Sequence, residues 1–128
     1  MKSLEELSYL AISTSQTDLS DRISVVFDIM KSGAKGTNAD FAQAFSDVIG
    51  DQPYAGSISL DDEINILDWI SKTYDEESES YIDAVATLYC MMTSDRALNE
   101  LQEKLSSAKY LWVRQMLQEA LDAFTPNT

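Results

Sequence analysis

Four carboxylates crowd five positions of the stretch TYDEESESY: Asp75, Glu76, Glu77 and Glu79, with no basic residue nearer than Lys72. Carboxylates at this density could ligate a hard cation such as Mg²⁺ or Ca²⁺. They could also serve as catalytic acids and bases, mark the solvated start of a helix, or attract a basic macromolecule. A second group, Asp61, Asp62 and Glu63 in SLDDEINILDW, raises the same choices one element earlier.

The rest of the chain removes most of the chemistry. Histidine is absent, which takes away the usual general base at neutral pH and the commonest transition-metal ligand. Cys90, the single cysteine, lies on the apolar stretch LYCMM and reads as a small core residue; one cysteine also means no internal disulfide and no Cys-rich zinc site. KSGAKGTNAD has the glycine and lysine of a phosphate loop without its spacing, and it follows a helix where that motif needs a strand. No glycine-centred oxygen-ligand loop accompanies the acids of SLDDEINILDW. The expectation is a non-enzyme with no catalytic, cofactor-binding or metal-binding residues.

The placement of charge is informative. The net charge is −13, and the segment from Asp40 to Asp83 holds twelve acids against Lys72 alone, leaving −2 for the remainder. Such a field repels nucleic acid and acidic membranes and steers basic partners inward. Glu5 and Glu6 interrupt what a signal peptide would need as an apolar run, and AVATLYCMM is about half of the roughly 20 residues a membrane helix requires. A cytoplasmic chain without a membrane span is expected, folding as one domain over residues 1–128. Oligomeric state is left open.

The elements that carry these acids follow a helical period throughout. Ser3 and Glu6 have capping-box spacing for a first helix over Leu4, Leu7 and Leu10. Leu19, Ile23, Val26, Phe27 and Met30 form a core stripe stopped at Gly33, and Phe41, Phe45, Val48 and Ile49 form another between a cap at Asn38 and a stop at Gly50. Ser59 caps a fourth helix bearing Leu60, Ile64, Ile66, Leu67, Trp69 and Ile70. A fifth spans about Glu77 to Met92, a sixth starts at Ser94, and a seventh starts at Ser107 and ends before Pro126. The fold class is therefore all-α, with about seven helices. The last four form two helical hairpins offset by about 29 to 35 residues, in the manner of HEAT or armadillo stacks.

On this scaffold the opening cluster exceeds what a helix start uses. One or two acids satisfy the dipole, and Glu79 with Asp83 makes a like-charge i, i+4 pair that costs a few tenths of a kcal/mol. Asp61, Asn65, Asp68 and Lys72 share the outer face of the preceding helix, so an antiparallel hairpin would present an extended anionic strip. The residues assigned to partner binding are Asp61, Asp62, Asp68, Asp75, Glu76, Glu77, Glu79 and Asp83, with Trp69, Tyr74 and Tyr81 as aromatic anchors. Trp112 and Met116 lie beside the main stripe of the last helix as Trp69 and Ile66 do on the fourth; contact with an adjoining helix layer is the expected role of all four, and a partner-facing anchor beside an acidic rim is the alternative.

A small, acidic, all-helical chain without a catalytic set resembles the immunity proteins of bacterial toxin systems, including those of contact-dependent growth inhibition. The resemblance rests on overall character and on the acidic block from Asp40 to Asp83. It implies an antitoxin that binds a cognate toxin domain, often a nuclease, and covers its basic active-site cleft without touching nucleic acid or membrane. The competing readings are a HEAT-like adaptor, a phage-type acidic mimic of nucleic acid, and an enzyme working through carboxylates and Mg²⁺.

Overall fold

The computed structural model describes residues 19–33, 35–50 and 58–124. Six helices occupy them: α1 (Leu19–Lys31), α2 (Asn38–Gly50), α3 (Leu60–Thr73), α4 (Glu79–Cys90), α5 (Asp95–Ser107) and α6 (Leu111–Ala123). No strand occurs among the described residues. The expected helix over Leu4, Leu7 and Leu10 lies outside them.

Local chemistry accounts for most helix ends. Ser59, Ser78 and Ser94 adopt extended backbone and accept the amides of Asp62, Tyr81 and Ala97, each satisfying one of the unpaired N–H groups of a first turn. Gly33 ends α1 in the left-handed region at φ 83°, which a side chain would strain. Three boundaries differ from expectation. Thr37, not Asn38, caps α2: its hydroxyl accepts from the Asp40 amide while the Asp40 carboxylate accepts from the Thr37 amide, a reciprocal box that a carboxylate three residues on makes possible. α4 begins at Glu79 after the Ser78 cap, two residues later than the acids suggested. Ser107 closes α5 by donating to the Glu103 carbonyl, and α6 starts after Tyr110 with no side-chain cap.

The six helices pair as hairpins, and successive hairpins stack in register. α3 and α5 run side by side in the same direction: Glu63 binds Thr93 and Ser94, Asp68 pairs with Arg96, Ser71 bonds Glu100, and Lys104 lies over the Tyr74 ring. The Cys90 thiol donates to the Ala120 carbonyl across α4 and α6. These partners are 28 to 31 residues apart, within the offset the sequence suggests for two helical hairpins. α1 lies alongside α3 through Ser20 and Asp62, and α2 packs on α4. The result is three hairpins in two layers, α1, α3 and α5 in one and α2, α4 and α6 in the other.

The layers are packed differently. Ala42, Ala44, Ala84, Ala86 and Ala120 are buried and let α2, α4 and α6 approach closely. α3 is held farther from its neighbours by large side chains such as Trp69 and Phe27. α4 is the central element: Tyr81, Ile82, Ala84, Val85, Ala86, Leu88 and Tyr89 are buried, leaving only a narrow outward stripe at Glu79, Ser80 and Asp83. A chain of ring contacts, Phe27 to Phe45 to Trp69 to Tyr81 to Tyr74, ties the first hairpin to the second.

Candidate functional site

The acids of the opening cluster fall in the turn between α3 and α4, with only Glu79 inside a helix. Three of them are structural. Glu76 is buried; its carboxylate accepts from the Tyr74 hydroxyl and the Lys109 amide, both at 3.0 Å, and so joins the α3–α4 turn to the α5–α6 turn. Glu77 accepts from the Tyr110 hydroxyl at 2.8 Å and makes the same link at the surface. Asp75 accepts the Glu77 amide at 2.9 Å and closes the turn. Glu76, expected at a partner surface, is therefore an internal brace, because a buried carboxylate is retained only where donors meet it.

The α3 acids divide in the same way. Asp61 is exposed, whereas Asp62 is largely buried and accepts from the hydroxyls of Ser20 and Ser59. Glu63 is 2% exposed and accepts from the amides of Thr93 and Ser94 and from the Thr93 hydroxyl. It serves as a second cap for α5, its charge facing the positive end of that helix. Asp68 is half-exposed and paired with Arg96, which also reaches Glu100 at 3.5 Å.

Of the three aromatic anchors, Tyr81 is corrected outright: it is 1% exposed, with its hydroxyl on Thr73 and its ring between Trp69 and Tyr74. Burial pushes its hydroxyl up to about 12, and it raises Tyr74 and Tyr89 as well. Trp69 and Tyr74 are half-buried and spend most of their ring surface on neighbours. The Cys90 thiol is likewise raised by burial, away from the reactive thiolate.

The single anionic strip is also divided. α3 and α4 belong to opposite layers, so Asp61 and Asp68 look out on one side of the stack and Glu79 and Asp83 on the other. The first side is mixed, with Lys31, Lys72 and Arg96 among its acids. An open groove of about 590 Å³ between α1 and α3 has Phe27, Met30 and Trp69 in its lining, with Asp28, Asp68, Lys31 and Lys72 around them. The second side is different. Its helices carry six carboxylates, all exposed, on Asp40, Asp47, Glu79, Asp83, Glu119 and Asp122, and one base, Arg114.

Asp40, Asp47, Glu119 and Asp122 were not legible as part of a site from sequence spacing, since only the layering brings α2 and α6 beside α4. At the end of this side, Leu111 is 70% exposed, Tyr110 is exposed and stacked on Trp112, and Met116 meets Glu79, Ser80 and Asp83 across an open groove of about 620 Å³. Among the described residues no group of three or more acidic or cysteine side chains is placed to hold a metal ion, and no helix is long and apolar enough to cross a membrane.

Comparison with known proteins finds no matching family model, no matching curated protein and no matching solved structure.

Proposed function

We propose that the chain is an immunity protein that binds a basic toxin domain, most simply a nuclease, and covers its cleft with an anionic surface. One observation carries this: the outward side of α2, α4 and α6 presents six exposed carboxylates against one arginine. A nuclease cleft must attract phosphates, so ordered carboxylates on a rigid scaffold supply a competing counter-charge and speed the encounter. The stacked hairpins supply the rigidity, since these charges sit on helices and not on loops.

Capture from a bacterial lysate at low and at about physiological salt tests the reading, followed by an assay of the retained protein. One basic domain held at both salts, with its nuclease activity lost at equimolar chain, supports it. A retained protein whose activity the chain leaves intact, or a crowd of basic proteins lost with salt, counts against it. The hairpin stack itself favours the second reading, an adaptor of HEAT type or an acidic mimic of nucleic acid. Retention of several unrelated DNA-binding proteins at physiological salt would single out the mimic.

A further inference from the structure

We infer that the groove between α4 and α6 seats an arginine-bearing segment of the partner, its guanidinium between the Glu79 and Asp83 carboxylates and its aliphatic stem along Met116. This rests on the chain being an acidic binding protein, though not on the partner being a toxin.

Glu79 and Asp83 stand one helical turn apart on the exposed stripe of α4, with Ser80 between them and Met116 opposite. Neither carboxylate has an ion-pair partner among the described residues, in contrast to Asp68 with Arg96. Their repulsion is relieved by a cation that can face both at once, and a planar guanidinium with five donors does this better than an ammonium.

The flank of α6 adds the apolar half of the site. Trp112 is one turn before Met116, hence on the same flank, and its ring lies 13° from that of Tyr110 at 6.1 Å. Tyr110 is 38% exposed, so this stacked pair offers aromatic surface to a delocalised cation at the same end of α6 as the exposed Leu111. Charge thus specifies a basic occupant, and the Met116–Trp112–Tyr110 surface specifies arginine over lysine.

The test titrates the whole chain with hexa-arginine and hexalysine at about physiological salt, following amide and indole shifts by NMR. The expected result is shifts centred on Glu79, Asp83, Met116 and the Trp112 indole, with hexa-arginine at least tenfold tighter. Glu79→Gln with Asp83→Asn should weaken it about tenfold, whereas Asp28→Asn with Asp61→Asn, on the opposite side, should leave it within about twofold. All four residues are exposed, so folding is a minor concern. Equal binding of the two peptides, or equal losses in the two double variants, would overturn the assignment and leave only diffuse attraction. The outcome is separable from the immunity reading: the peptide result can hold where no toxin is inhibited, and a toxin can be inhibited by a chain whose groove ignores arginine.

Discussion

At the scale of single residues, the acids that look alike in sequence do opposite work. Glu63 is a buried carboxylate with three donors and no cation among the described residues, and removing it leaves the Thr93 and Ser94 amides unpaired inside the stack. Glu63→Ala is expected to cost about 2–4 kcal/mol, and Glu63→Gln less because its carbonyl still accepts; urea denaturation midpoints at unchanged slope measure both. Asp61→Asn, two positions away and exposed, should change stability by no more than about 0.5 kcal/mol. If Glu63→Ala were as mild as Asp61→Asn, the capping role would be wrong. Sequence spacing could not separate these residues, because all the donors to Glu63 and the Lys109 amide on Glu76 come from about thirty residues downstream. The exposed pair Glu79 and Asp83 was legible, since two like charges one turn apart on an otherwise apolar helix can only be tolerated where water or a cation reaches them.

At the scale of elements, periodicity carried the reading well. Ile23 and Val26 of α1 and Phe41, Phe45, Val48 and Ile49 of α2 are buried where spacing put them, as are Ile66, Leu67 and Ile70 of α3, because an amphipathic helix on a hairpin stack needs only one buried face; Leu60, placed on the same α3 stripe, is instead 60% exposed at the head of its helix. The misplaced ends, at Ser107 and Asn38, reflect serine and asparagine being good caps in general: which one is used depends on where the chain can turn, as the Thr37–Asp40 box shows. What no stripe reveals is the difference in closeness between layers. Ala84 lies 1% exposed in the close-packed layer, so Ala84→Leu is expected to cost about 1–3 kcal/mol through overpacking, while the same change at exposed Ala123 should be nearly neutral. Thermal melting of the two variants decides this, and equal melting temperatures would mean that α4 has room the packing denies it.

At the scale of the whole molecule, burial of tyrosine sets an alkaline limit. In the unfolded chain the tyrosine hydroxyls ionise near 10, whereas Tyr81 is pushed up to about 12 and Tyr74 and Tyr89 are also raised. The unfolded state therefore releases these protons first. Their contribution is complete below about pH 10 and is lost as pH rises through the folded values. Melting temperature should fall steeply between pH 10 and 12, and Tyr81→Phe should flatten that fall. An unchanged slope would place the transition elsewhere, for instance in the self-repulsion of a chain already at −13.

The ring chain from Phe27 to Tyr74 gives this protein two separate optical signatures. Five aromatic rings held at 4.8 to 6.4 Å and fixed tilts are chiral chromophore neighbours, so near-ultraviolet circular dichroism will report chiefly on the first two hairpins and on Trp69. Trp112, stacked on an exposed tyrosine in the third, will answer instead to whatever occupies the surface beside it, by a shift in its emission. Disassembly of the stack and occupation of its anionic side can thus be watched in one cuvette without a label.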